Sequence, residues 1–578
     1  MYLKKSYRKD SGRTYLVIAE KYRNPATNVA TDRTVKSLGY LDELETEYAD
    51  PIAHFQAVAR KMTEEAAAQN KMTLTINMDE TLALDAEGRK NFGYAAILKI
   101  YHELGLDDFF KNKARPDSFE FNTNSIMMLL VISRLLSPGS KKKAFEEKGR
   151  YFERFDFSLA DVYRALSHYA KIAKECQRHL HEQIAAKYGR NTKTIYYDVT
   201  NYYFEIEEAD ELRKFGPSKE KRPNPIVQMG LAMDADGIPL HYELFPGNKL
   251  DKETFRSVIG EVRRKYDTGR VVVVADMGII TGDNIYYLTG GKNRNGYVFS
   301  FSVRGGTGEF KSYVLEKNEY VGTDGKPAPE DAAFKLKSRR IARDINVTMA
   351  SGKVEKKTVY EKQVVFWAKK YADKARAERA EVVKKAKGFA EDPQKYNRAI
   401  TYGAAKYVKN LEIDKETGEV LLGKQHPYFD ADKVREEEKY DGYYAIVTSE
   451  LAMSDAEVIE TYRGLWEIEE TFRITKSTLE TRPVFVSRED RIGAHFLTCF
   501  VALVILRLIQ KQTQYRFSAE KILACLSSIA CSHEQENLYL FDYRSEVSDA
   551  IGAALGINFT RKRLRLSEAK NILASCKK

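Results

Sequence analysis

Three acidic residues lie where a fold could bring them onto one phosphate group. Asp198 follows Ile195-Tyr196-Tyr197, and Asp276 follows Val271-Val272-Val273-Val274-Ala275. Both runs read as strands, and the carboxyl ends of strands are where open sheets place ligands. Glu469 lies in the segment IETYRGLWEIEETFRITK, residues 459–476, whose periodicity predicts one helix. Residues three, four and seven apart share a helix face, so Tyr462, Leu465, Trp466, Glu469, Phe472, Arg473 and Lys476 form a single stripe. Phosphodiester cleavage by a pair of divalent ions needs hard oxygen ligands, and three carboxylates can clamp two ions about 4 Å apart. Cations on the same stripe suit a phosphodiester substrate. A plainer reading stays open for each element. An aspartate can simply end its strand, and the helix can be amphipathic, with Trp466 and Phe472 in the core and its charges paired at the rim.

The elements that must position these acids are legible in outline. Residues 194–200, 226–233 and 240–245 read as strands, the last two separated by the turn Asp234-Ala235-Asp236-Gly237. A helix over 252–266, the valine strand, another helix and a strand over 297–303 follow. Hairpin strands succeeded by strand–helix alternation imply a mixed sheet flanked by helices, an α/β fold. Residues 304–439 break this order with Gly-rich turns, a hairpin near 353–365 and a charged helix over about 366–387, and read as an inserted domain. Tyr443 to Thr448 resumes the strands. Ser454 with Glu457 three residues later forms a capping box for the Glu469 helix.

Composition bounds the partners. The 578 residues carry a formal net charge of +11, which favours polyanions. Residues 1–40 hold nine Lys/Arg against three Asp/Glu, and the tail from Arg561 holds seven against one. Lys219, Lys221 and Arg222 sit in a loop and could touch DNA, though solvated loop charge reads as well. Five cysteines without CxxC spacing exclude a disulfide framework and a zinc site. Tyr2 to Asp10 is polar and basic rather than a signal peptide, and the longest apolar run, Phe496 to Leu506, is too short to span a bilayer. A buried helix and a cytoplasmic protein are expected. His179 and His181, two apart on a helix, share no face for a metal.

The combination resembles the DDE transposases of bacterial insertion sequences, in the broad insertion-sequence family four, whose third acid lies in a Y-x2-R-x3-E-x6-K signature. Tyr462, Glu469 and Lys476 match it at seven-residue spacings, and Leu465 stands where the family has arginine. Arg473, one turn beyond Glu469, is the favoured substitute over Arg463. The segments YYDVTNYYFE (196–205), GPSKEKRP (216–223), LFPGNKLDKETF (244–255), VVVADMGI (272–279), FRITKSTLETRPVF (472–485) and RIGAHF (491–496) look like the same subgroup.

This resemblance implies a ribonuclease-H-like core interrupted by a β-rich insertion domain. It implies Asp198, Asp276 and Glu469 as ligands of two Mg²⁺ or Mn²⁺ ions, with Tyr462, Arg473, Lys476, Lys219 and Arg222 on DNA. It further implies cut-and-paste transposition: binding of terminal inverted repeats, synapsis by a homodimer, cleavage, and joining to double-stranded target DNA. The expected division is a small β-rich unit over 1–75, a helical DNA-binding domain over 76–190, core parts over 191–303 and 440–515 around the insertion over 304–439, and a helical region with a basic tail over 516–578. Two other readings compete: a silent DNA-binding protein of transposase descent, and a structure-specific nuclease that does not join strands.

Overall fold

The computed structural model describes residues 1–23, 30–69, 79, 81, 84, 88–217, 223–290, 294–391, 404–409, 412–413, 420–421, 428–482, 484, 486, 488–534 and 537–578. Lys219, Lys221 and Arg222 therefore lie outside the described residues. The chain divides into two compact units, Met1–Ala86 and Glu87–Lys578. It is an antiparallel sheet of β1 (Tyr2–Arg8), β2 (Arg13–Arg23) and β3 (Ala30–Tyr40), followed by helices Leu41–Glu47 and Pro51–Gln69. Leu16, Leu44 and Phe55 form its core.

The second unit is built on an eight-stranded sheet. After the short β4 (Arg89–Asn91) and a block of helices come β5 (Thr194–Tyr203), β6 (Ile226–Met233), β7 (Pro239–Pro246), β8 (Val272–Ala275), β9 (Gly296–Phe301), β10 (Phe334–Thr348) and β11 (Val354–Ala368). Four two-residue strands follow: β12 (Val408–Lys409), β13 (Glu412–Ile413), β14 (Val420–Leu421) and β15 (Tyr428–Phe429). The sheet is completed by β16 (Tyr443–Thr448), in the order β10-β11-β16-β9-β8-β5-β6-β7. β5, β8 and β9 run parallel, and every other pairing is antiparallel.

Both faces of this sheet are covered, which is why the valine run is apolar at every position rather than at alternate ones. On one face, Ile195, Tyr197, Val273 and Ala275 pack against Phe255, Val258 and Ile285 from helices Asp251–Lys265 and Gly282–Thr289. On the other, Tyr196, Tyr202, Val272 and Val274 pack against Ile459, Leu465, Ile468 and Phe472 of the Glu469 segment. The helix Glu489–Gln512 joins that core. It is long and apolar enough to cross a membrane by composition, and 94% of its apolar window is buried within the protein. Phe496 packs on Tyr202 at 4.9 Å and Phe500 on Tyr242 at 5.0 Å, tying this helix to the sheet.

Three expectations are corrected. The stretch 353–365, expected as a hairpin, is a single strand, β11, whose partner is β10. β10 and β11 extend the central sheet through β16, with Ile345, Val347 and Val359 in the same core as β5. The charged helix begins after that hairpin, at Lys369–Glu391. The C-terminal region is not wholly helical either: β17 (Ala530–His533), β18 (Leu538–Phe541) and β19 (Arg563–Arg565) form a sheet with β4, so it packs with the helical block after residue 87. A strand of three or four residues shows too little alternation to be read locally; its partners define it.

Candidate active site

Backbone register brings the first two acids together. β5 and β8 pair as Thr194↔Val272, Ile195↔Val273 and Tyr196↔Val274, an offset of 78 (272 − 194). Continued past the last pair, the same offset would set Asp198 opposite Asp276, the residue that follows β8 and caps the short turn Met277–Ile279. β8 and β9 pair as Val274↔Val298 and Ala275↔Phe299, and continuing that offset sets Ser300 beside Asp276. The contact is real: Ser300 Oγ donates to Asp276 Oδ1 at 2.6 Å. The same oxygen accepts from the Met277 amide at 2.7 Å and from the Tyr462 hydroxyl at 3.4 Å. All three of these contacts fall on Oδ1. Asp198 Oδ1 accepts from the Val199 amide at 2.7 Å.

The third acid is docked onto β5 from both sides. Residues 459–476 do not form one continuous helix. Helix Asp455–Arg463, closed by the expected Ser454–Glu457 capping box, ends at Gly464, and a second helix runs Trp466–Arg473 before a wide turn at Ile474–Thr478. Between them the Glu467 and Ile468 amides reach only three residues back, to Gly464 and Leu465. The cause is close packing. A Cβ on Gly464 would stand 2.1 Å from the Tyr196 hydroxyl, so only glycine lets the segment approach β5 here. Tyr196 donates to the Thr461 carbonyl at 3.1 Å, and Tyr202 to Thr475 Oγ1 at 3.0 Å, since Thr475 itself donates to the Phe472 carbonyl. Tyr196 and Tyr202 flank Asp198 on its own face, and their partners flank Glu469.

Tyr462 links the acids electrostatically. Burial first, then the Asp276 and Glu469 carboxylates, push its hydroxyl above the ordinary value, against the opposing bond to Ser300. Glu469 is exposed, as is Asp276. Among the described residues, no three His, Cys, Asp or Glu side chains are gathered closely enough to hold a metal ion. The acids thus flank one tyrosine without closing on a single point. As a donor set, three carboxylates suit a hard divalent cation.

The remaining residues of the stripe divide. Lys476 Nζ lies 5.6 Å over the Tyr202 ring, beside β5. Arg473 pairs with Glu520 at 2.7 Å and Glu470 at 3.7 Å, so its charge is already engaged. Leu465 is 7% exposed and packs in the core, where an arginine would bury a charge. Trp466, expected in the core, is 57% exposed, while Phe472 on the same stripe is buried as expected. A cavity of about 370 Å³ opens beside Asp276, between Tyr462 and Ser300 on one side and Arg304, Tyr371, Tyr440 and Tyr444 on the other. Sequence reasoning missed Ser300, Tyr196 and Gly464; in-phase spacing from Asp198 and Asp276 could have pointed to the first two. His179 stacks on Phe109 and meets the Leu104 carbonyl.

No curated protein sequence matches the chain. Among solved structures it is similar to a piggyBac transposase synaptic complex with hairpin DNA, determined by cryo-EM. The identity is 8%, over 89% of this chain and 80% of that one, with a TM-score of 0.33. A Mos1 transposase paired-end complex with the left transposon end is similar at 11% identity over 38% of this chain and 60% of that one, with a TM-score of 0.11. Both are too distant to carry structural detail across. Family models are more direct. The IS1634 family transposase N-terminal domain matches residues 3–72. The transposase DDE domain matches residues 205–505, more than half of the 578. The chain therefore belongs to the transposase DDE domain family and is a DNA transposase.

Proposed function

We propose that this transposase cleaves DNA at terminal inverted repeats and joins the freed 3′-OH ends to target DNA, using Asp198, Asp276 and Glu469 as its catalytic acids. The observation that carries the reading is that Asp198 in β5 and Asp276, next after parallel β8, follow one pairing register, while Tyr196 and Tyr202 of β5 bond the segment on either side of Glu469. The strand order β7-β6-β5-β8-β9, with the first three antiparallel and the last two parallel to β5, supports a ribonuclease-H-like core. The capping box and the Tyr462, Glu469 and Lys476 spacing support membership among the insertion-sequence enzymes, with Leu465 as the departure.

Asp198, Asp276 and Glu469 would hold the divalent ions, two Mg²⁺ or Mn²⁺, which would supply Lewis acidity for in-line displacement at phosphorus. The chain's own part is positional. Ser300 and the Met277 amide fix the Asp276 carboxylate by its Oδ1, and Tyr462 holds the acid segment to Asp276. Lys476 lies where it can neutralise a phosphate beside β5. Tyr462, Arg473, Lys476, Lys219 and Arg222 are the proposed DNA contacts; Arg473 takes part only by leaving Glu520. A homodimer that pairs two ends, acting in the cytoplasm, completes the reading.

The test is Mg²⁺-dependent cleavage of duplex DNA carrying the inverted repeats that flank the coding sequence. Cleavage followed by joining to a target plasmid is expected. Tight binding without cleavage would instead identify a silent DNA-binding relative. Cleavage without joining of pre-cut ends would identify a nuclease.

A further inference from the structure

A buried cationic cluster stands behind the Glu469 segment. Arg134, Lys141 and His495 are 5%, 3% and 1% exposed and come from three helices, Thr123–Leu136, Lys141–Glu146 and Glu489–Gln512. The charged and titratable groups around Lys141 are Arg134, His495 and the Cys499 thiol, with no carboxylate among them. Burial lowers the Lys141 ammonium to about 7 and His495 well below its usual value.

These side chains converge on backbone carbonyls just after the Glu469 segment. Arg134 Nη1 donates to the Leu479 and Glu480 carbonyls, both at 3.1 Å, and Nη2 to the Gly139 carbonyl at 3.0 Å. His495 Nε2 lies 2.9 Å from the Thr481 carbonyl, which can only accept, so Nε2 carries the hydrogen. Nδ1 is then the acceptor, and Lys141 Nζ, 2.5 Å away, is its donor. Lys141 thereby fixes the histidine tautomer, the usual way one ring nitrogen's partner sets the other. A methionine would fill the same space without burying an amine. What lysine adds is the donor.

The clamped segment leads directly to the site. The Thr481 amide donates to the Thr475 carbonyl at 3.0 Å, and the Leu479 amide to the Ile474 carbonyl at 2.8 Å. The Thr475 hydroxyl accepts from Tyr202, four residues beyond Asp198 on the same face of β5. Glu480 holds a left-handed φ of 42° within this turn, a conformation that costs a non-glycine residue energy and persists only when its surroundings impose it.

We propose that Arg134, Lys141 and His495 are positioning residues for the third acid: by holding the carbonyls of residues 479–481 they set where the turn after Glu469 docks on β5, and so the placement of Glu469 and Lys476 relative to Asp198. The inference rests on Glu469 being the third acid. It predicts a split between two substitutions at one position. His495→Gln keeps a donor toward Thr481, whereas His495→Asn keeps only an acceptor toward Lys141.

The experiment titrates Mg²⁺ in single-turnover end cleavage by the full chain, alongside end binding and thermal melting. His495→Gln is expected to stay near wild type. His495→Asn is expected to bind ends normally but to need about tenfold more Mg²⁺ or to cleave about tenfold slower, the low end for residues that orient metal ligands. Should His495→Asn not fold, Arg134→Lys carries the same prediction, because lysine keeps the charge but loses the fork that spans two carbonyls. Equal Mg²⁺ requirements for the Gln and Asn variants, or for Arg134→Lys and wild type, overturn the inference. A Glu469→Gln protein that still cleaves overturns the underlying assignment instead, so the two failures are distinguishable.

Discussion

The Tyr462 hydroxyl donates to Asp276 Oδ1 at 3.4 Å and feels the Glu469 carboxylate as well, so one phenol joins the second acid to the segment that bears the third. Tyr462→Phe removes that hydroxyl while keeping the ring. Cleavage of bound ends is expected to fall about tenfold, beyond any weakening of end binding from the lost DNA contact, since residues that orient metal ligands cost 10–100-fold when changed. Single-turnover cleavage with a matched binding assay measures it; loss of both together would mean that Tyr462 acts through DNA affinity alone.

Gly464 sets how closely the acid segment approaches β5. Gly464→Ala places a Cβ against the Tyr196 hydroxyl, an overpacking that costs about 1–3 kcal/mol and displaces Glu469. Adding Tyr196→Phe removes the atom in the way. The double variant is therefore expected to recover cleavage relative to Gly464→Ala alone, a sign of coupling between neighbours rather than additivity. No recovery would show that the glycine serves some other need.

Leu465 occupies the signature's arginine position but lies in the core. Leu465→Arg is expected to destabilise the protein by roughly 3 kcal/mol through an unpaired buried charge, and not to raise activity. Urea denaturation and the cleavage assay check the two halves separately. A stable and faster variant would contradict the packing seen here.

Lys141 and His495 make stability depend on pH. Unfolded, Lys141 keeps its proton up to about 10.5; folded, it releases it near 7. Between those values the unfolded chain holds more protons, so stability rises with pH, and the full cost of the buried ammonium is present below about 7. His495, lowered well below its usual 6.5 by burial and by Lys141, adds a further loss as pH falls beneath 6.5. The combined effect is on the order of a few kcal/mol at about 1.4 kcal/mol per pKa unit. Denaturation midpoints from pH 5 to 9 are expected to climb, and Lys141→Met to flatten the upper part of the climb.

Much of this architecture was legible because it is local. Five consecutive β-branched or small residues before Asp276 announce a buried strand, and the alternation of strands and helices from Thr194 to Phe301 carries the order of the core. What was not legible depends on partners distant in sequence. The stretch 353–365 reads as a hairpin but is the single strand β11; its partner β10 and its docking on β16 are not evident within it. The break at Gly464 is hidden because the 3.6-residue rhythm continues through it, and only the Tyr196 hydroxyl, some 270 positions earlier (464 − 196 = 268), reveals why a glycine sits there.

The central claim is that residues 198, 276 and 469 hold the same pair of ions when DNA is bound. Anomalous diffraction from Mn²⁺ in a complex with pre-cleaved end DNA tests it most directly. Metal peaks about 2 Å from carboxylate oxygens of all three residues are the predicted result. Peaks held by Asp198 and Asp276 alone, with the Glu469 side chain remote, would contradict it.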